Sequence, residues 1–189
     1  LYHLERALQK IPGNPEARMM HGWASRRDGQ WGQAVESMEA ALRLDPRSAF
    51  NWAEYGQTLG YLHRYEAANQ ALQTAQQLDP GNSWVKALQA DLAINGHGDL
   101  PTALRATIGI QHSGEPNSMP VFIAPRLMDG RFEEALEAAH NMPEALEVQR
   151  ARILLREELL ALIHHLKGEP EQAQAAADAA WFRLQGFRE

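Results

Sequence analysis

Cysteine is absent from the 189 residues, which excludes a disulfide framework, a thiol nucleophile and a thiolate metal site. Long apolar runs are missing too. The longest, Leu159–Ile163, falls far short of the about 20 residues that span a bilayer. There is no basic excess: 18 Lys and Arg stand against 24 Asp and Glu, a net charge of −6 spread along the chain. That balance favours solubility and argues against a nucleic-acid partner, which wants a basic face. A hydrophobic content of 44% with 22% charged residues is that of a globular chain of one ordinary domain.

What is present is a 34-residue unit written twice, Pro15–Ser48 and Ala49–Asn82. Gly22 falls on Gly56, Trp31 on Tyr65, Ala34 on Ala68, Met38 on Leu72, Ala41 on Ala75 and Pro46 on Pro80. Within Gln30–Leu44 the apolar and small residues Trp31, Ala34, Met38, Ala41 and Leu42 recur every three or four positions, one stripe of a helix. Arg18–Arg27 and Trp52–Leu62 read as the helices that precede each such stripe. Gly22 and Gly56 fall in mid-helix, where glycine costs about 1 kcal/mol against alanine. A residue so placed marks close approach, so paired helices are expected to cross there. Ser48 and Asn82 suit the caps of following helices.

This spacing, with Trp52, Gly56, Ala68, Ala75 and Pro80 in place, resembles the tetratricopeptide (TPR) repeat. Arg18 and Ser25 depart from that pattern in the first unit, where large aromatics are usual. The resemblance implies an all-α fold, a right-handed α-solenoid of helix–turn–helix repeats forming one superhelical domain over residues 1–189. Residues 1–14 read as a half repeat, since Leu4, Ala7 and Pro12 lie one period before Met38, Ala41 and Pro46. The chain is therefore expected to be a fragment of a longer protein. Residues 83–117, 118–143 and 144–189 read as diverged pairs, with regularity falling off after about residue 96. In that stretch Gln111–Pro120 is the loop signal, Ala145–Lys167 reads as one long helix, and Gly168–Pro170 ends it. Pro125 is expected to kink or restart the helix that holds it.

Candidate chemistry is sparse. His164 and His165 are adjacent and diverge by about 100° on a helix, and His21 and His63 have no ligand partner at helical spacing. Glu133–Glu134 and Glu157–Glu158 read as exposed acidic faces, not an acid–base pair. Gly96–Asp99 lacks the strand and the Lys of a phosphate loop and reads as a turn. No catalytic residue, metal or cofactor is expected, and the chain reads as a non-enzyme.

Of the aromatics, Trp31, Trp52, Tyr65 and Phe132 occupy packing positions of the repeat and are expected in the core. The TPR resemblance further implies that first helices line a concave groove. It places there Met19, Trp23, Arg26, Arg27, Phe50, Gln57, Tyr61, Trp84, Ala87, Asp91 and Asn95. Aromatic and arginine side chains are typical interface anchors. TPR domains that hold a carboxyl terminus do so with Lys and Asn; Met19, Trp23, Ala53 and Gln57 stand here instead, so that mode is not expected. The implied function is a protein–protein interaction scaffold that binds a peptide or partner domain, without nucleic acid or membrane. A wider likeness, to helical arrays behind nucleotidyl cyclase or Ser/Thr kinase domains, implies a cytoplasmic regulatory region of a larger bacterial signalling protein. The alternative is a homo-oligomerisation module for a catalytic domain outside the chain.

Overall fold

A computed structural model of the chain describes residues 1–108, 110, 119–148 and 152–186. The chain packs as two compact units, Leu1–His97 and Gly98–Glu189.

The first unit consists of helices α1 (Tyr2–Lys10), α2 (Pro15–Arg27), α3 (Trp31–Leu44), α4 (Ala49–Tyr61), α5 (Tyr65–Leu78) and α6 (Ser83–His97). Two local devices, repeated with the sequence period, build the pairs. Each pair begins on a side-chain cap: Asn14, Ser48 and Asn82 accept from the backbone N–H of Ala17, Asn51 and Val85 at 2.7, 3.2 and 3.1 Å. Such a cap is worth about 1 kcal/mol. Within each pair the chain turns through a left-handed residue, Gly29 (φ 77°) between α2 and α3 and His63 (φ 58°) between α4 and α5. The next residue then donates back into the finished helix, Gln30 N to Ser25 O at 2.8 Å and Arg64 N to Leu59 O at 3.0 Å. This is the wrap-around bond of a Schellman cap.

The pairs close on glycine, as the sequence spacing requires. A Cβ on Gly22 would stand 2.7 Å from Met38 Cγ and 3.2 Å from the Ala34 carbonyl oxygen. One period on, a Cβ on Gly56 would stand 3.0 Å from the Leu72 side chain and 3.2 Å from the Ala68 carbonyl oxygen. Ala34, Ala41, Ala68 and Ala75 are fully buried around these crossings. Tyr55 joins the repeats: it packs against both core clusters and donates to Glu39 Oε1 at 2.8 Å. Burial and that carboxylate push its phenol up to about 12.

Arg18, the departure from the repeat pattern, does part of the work of Trp52. Arg18 Nε donates to the Pro12 carbonyl at 3.0 Å, and Trp52 Nε1 donates to the Pro46 carbonyl at 2.9 Å, each reaching back over the turn. Trp52 and Tyr65 are half-buried against the core cluster of the second repeat, and Phe132 is half-buried. Trp31 departs further from the core expectation. It is 36% exposed and lies with its ring edge-on to Tyr61. At Gly96–Asp99 only the end is a turn: α6 continues through His97, and Gly98 (φ 65°) breaks it.

The second unit contains α7 (Leu100–Ala106), α8 (Met119–Met128), α9 (Phe132–His140), α10 (Arg156–Lys167) and α11 (Pro170–Gly186). Pro125 lies inside α8, which runs through it as one element instead of restarting. Of the expected loop Gln111–Pro120, residues 111–118 lie outside the described residues, and Met119 and Pro120 already belong to α8. The expected single helix over Ala145–Lys167 is not formed. Its first part is an antiparallel hairpin, β1 (Ala145–Val148) and β2 (Arg152–Leu155), in register from Ala145↔Leu155 to Val148↔Arg152. The helix starts only at Arg156, where Glu158 Oε2 accepts from the Leu155 N–H at 3.2 Å and caps it. The hairpin is tied in by Arg156 N donating to Glu144 O at 3.1 Å. Gly168 (φ 80°) ends α10, and α11 follows at once.

The paired carboxylates resolve into separate structural roles. Glu157 is buried, not exposed, with Oε1 receiving Arg183 at 2.9 Å, while its neighbour Glu158 is the cap. Glu133 pairs with Lys167 at 2.8 Å and Glu134 with Arg126 at 3.1 Å.

Candidate functional site

The candidate site lies on the first helices of the pairs, α2, α4 and α6, all within the first unit. Trp23 on α2 and Phe50 on α4 meet edge to face, centroids 5.8 Å apart at 86°, an arrangement favoured by the ring quadrupoles. Trp23 rests its body on the Met19–Met38–Ala41 cluster, whereas Phe50 is 50% exposed. The Trp23 indole N–H is buried with no acceptor among the described residues. Such an orphaned donor lowers stability unless a bound group pairs with it.

Beside this pair lies a polar seam between α2 and α4. Arg26 donates to Thr58 Oγ1 at 2.9 Å, Gln57 Oε1 at 3.3 Å and Glu54 Oε2 at 3.3 Å, with its guanidinium 5.8 Å from the centre of the Tyr61 ring. Glu54 and Thr58 are buried, so the ion pair is largely desolvated. Arg26 is therefore a tie between adjacent repeats and not a cation waiting for a ligand. Arg27, next to it, is exposed and has no ion-pair partner among the described residues.

Tyr61 is 47% exposed; desolvation raises its phenol, with Asp91 and Glu54 adding to the shift and Arg26 opposing it. Asp91 and Asn95 on α6 are exposed and bonded to each other, Asn95 Nδ2 donating to Asp91 Oδ1 at 2.8 Å. Crowding of the Asp91 carboxyl raises it above the usual carboxylate range, and the Asn95 amide partly offsets this. Trp84 is half-buried against the core cluster of the second repeat.

Two of the expected groove residues belong to the core instead. Met19 is 2% exposed and Ala87 1%, and Ala53 at the intervening repeat position is also buried. Met19 clusters with Met38 and Ala41 of α3, and Ala53 with Ala68 and Leu72 of α5, neighbours that the stripe in a single helix does not reveal. The Arg26–Glu54 tie was also missed. Its partners are 28 residues apart, and only the packing of successive repeats brings them together.

His21, expected to ligate no metal, is buried and bonded through Nδ1 to Ser37 Oγ at 2.8 Å. No group of three metal-ligating side chains occurs among the described residues. No helix among them is long and apolar enough to cross a membrane.

Helical pairs closing on glycine, each with a Schellman turn and a capped entry, define a TPR-type all-α helical repeat fold. Residues 1–75 match the family model of anaphase-promoting complex, cyclosome, subunit 3. Among solved structures, the chain is similar to Pseudomonas aeruginosa pilF, with 19% identity and a TM-score of 0.69 over 92% of this chain and 78% of that one. It is similar to PilW, a widely conserved type IV pilus biogenesis factor, at 18% identity and a TM-score of 0.70 over 92% and 79%. YrrB, a TPR protein with an unusual peptide-binding site, is similar at 15% identity and a TM-score of 0.54, over 93% of this chain and 89% of that one. At these identities the likeness is one of fold. No curated protein matches the sequence.

Proposed function

We propose that the chain is a non-enzymatic interaction scaffold that takes a peptide or a helix of a partner protein on the α2–α4–α6 face. The observation that carries this reading is the edge-to-face Trp23–Phe50 pair, half open to solvent on the face of the first helices. Phe50, Tyr61 and Trp84 supply apolar anchors, and Gln57, Asp91 and Asn95 supply hydrogen bonds. Arg27 supplies an exposed cation. A few such anchors carry most of the energy of an interface of this kind. The sequence likeness to signalling arrays extends the reading to a cytoplasmic regulatory region of a larger bacterial signalling protein.

Peptides selected from a random display library against the full chain test the face. Phe50→Ser and Tyr61→Ser, both at half-exposed positions, should each weaken the selected peptides about ten-fold or more while leaving Tm nearly unchanged. Trp23→Ala is the poorer probe, because Trp23 also packs on the core cluster. Selected peptides indifferent to both serine variants would place the working surface elsewhere.

Self-association is the second reading. It is favoured by exposed apolar side chains on α10 and α11, Leu162, Leu166, Trp181 and Phe182, the last 71% exposed. Sedimentation equilibrium separates the two: a dimer that Trp181→Ser with Phe182→Ser returns to monomer supports it, and a monomer at all concentrations removes it.

A further inference from the structure

The last turn of α4 lies against the middle of α6. A Cβ on Gly60 would stand 3.9 Å from Leu92 Cδ1, and Leu59, Leu88 and Leu92 belong to one buried cluster. Tyr61 follows Gly60 and Asp91 precedes Leu92, so this apolar contact brings the Tyr61 ring and the Asp91 carboxylate together at one end of the face. The Asp91 charge is near enough to add to the upward shift of the Tyr61 phenol. Asn95, one turn beyond Asp91 on α6, completes the group. Tyr61 is 47% exposed, and Asp91 and Asn95 are exposed.

Asp91 and Asn95 together offer acceptors. Asn95 spends an amide N–H on Asp91 Oδ1 at 2.8 Å, which leaves its own oxygen as an acceptor beside the carboxylate. Asp91 has no cationic partner among the described residues. Residues 109 and 111–118, outside the described residues, contain no Lys or Arg. Arg26, the cation beside Tyr61, is committed to Glu54 at 3.3 Å. Crowding raises the Asp91 carboxyl, so its ionised form lacks the solvation that open water would give.

We infer that Tyr61, Asp91 and Asn95 form a subsite for a basic side chain, lysine or arginine, of the segment bound on the α2–α4–α6 face. This rests on the reading of that face as an interaction surface. An ammonium or guanidinium brings the N–H donors that this pair of acceptors can use, and charge-assisted bonds to a carboxylate are about twice as strong as neutral ones. A tyrosine ring beside the carboxylate adds the attraction of its face for a cation. Phe50 and Tyr61 stand in the first and last turns of α4, about 16 Å apart along its axis. The partner is therefore an amphipathic segment whose apolar anchor, at Trp23 and Phe50, is well separated from its basic residue.

Peptides selected from a random display library test the inference, in one selection on the wild-type full chain and one on Asp91→Lys. Wild type should select peptides enriched in Lys or Arg, and Asp91→Lys should select peptides depleted in them. For a peptide selected on wild type, replacing its basic residue by Gln should weaken binding about ten-fold, and so should Asp91→Asn. The two changes together should cost no more than either alone, which a merely structural role for Asp91 would not produce. Tm should be unchanged in Asp91→Asn because the residue is exposed. Peptides that lose affinity with Phe50→Ser but not with Asp91→Asn would overturn the subsite and leave the face standing. Peptides indifferent to both variants would remove the face as well. Additive losses from the paired changes, or equal Lys and Arg content in the two selections, would also overturn the inference.

Discussion

At two places the first repeat, residues 15–48, holds a hydrogen-bonded polar pair, one buried and one half-buried, where the second, residues 49–82, carries a large side chain and an alanine. His21 bonds Ser37 at 2.8 Å and Ser25 bonds Gln33 at 3.2 Å; one period on stand Tyr55 with Ala71 and Leu59 with Ala67. The helices cross in the same way in both, because Gly22 and Gly56, with Ala34 and Ala68 opposite, set the approach. The lesson is that crossing geometry depends on the small residues at the contact. The rest of the interface tolerates either filling, provided the volume is conserved and each buried polar group keeps its partner.

The sharpest way to break the comparison is at the glycines. Gly56→Leu should destabilise by more than about 2 kcal/mol through overpacking, and Gly22→Leu by less, because unbranched Met38 yields more readily than Leu72. Urea unfolding of the two variants checks the order; equal losses would mean the side chain opposite does not decide the cost.

Next in size is Ser37→Ala, which strands buried His21 and should cost about 1–3 kcal/mol. Adding His21→Tyr rebuilds the filling of the second repeat and should recover most of that loss. A double-mutant cycle without recovery would show that the two fillings are not interchangeable.

Tyr55→Phe comes third, at about 1 kcal/mol for the lost bond to Glu39. It also has a pH signature. The folded state holds the Tyr55 phenol up to about 12, above its ordinary value near 10. The stability due to the neutral phenol is therefore complete below the ordinary value and is lost as pH rises toward the raised one. The variant should lose less stability than wild type across that window, and parallel curves would contradict the assignment.

The smallest effect has the opposite sign. His63 occupies the left-handed turn position that Gly29 holds in the first repeat. His63→Gly should raise stability by up to about 1 kcal/mol, less whatever the His63 Nδ1 contact with the Tyr65 hydroxyl contributes. Gly29→His, by contrast, should lower it. A loss in both would mean the histidine contact outweighs the backbone strain.

The period, the crossings and the Ser48 and Asn82 caps of the first unit were legible because their causes are local or recur at fixed offsets, although α2 and α4 begin three residues before the expected Arg18 and Trp52. A cap binds within its own first turn, and a glycine pays its propensity cost in plain sight. The second unit was harder to read. The hairpin over 145–155 occupies short apolar runs that suit a helix or a strand equally, and only pairing in register distinguishes them. Of the candidate site, the aromatic stripe was legible. That Met19 turns inward and Arg26 is tied to Glu54 was not.

The sequence by itself determined that this is a helical repeat chain, where its pairs begin and cross, and which residue types recur on the first helices. Tertiary structure alone decided which of those residues are spent on stacking and which remain open. Burial and ion pairing are properties of neighbours brought together from distant positions, and a helix's own periodicity does not record what packs against it.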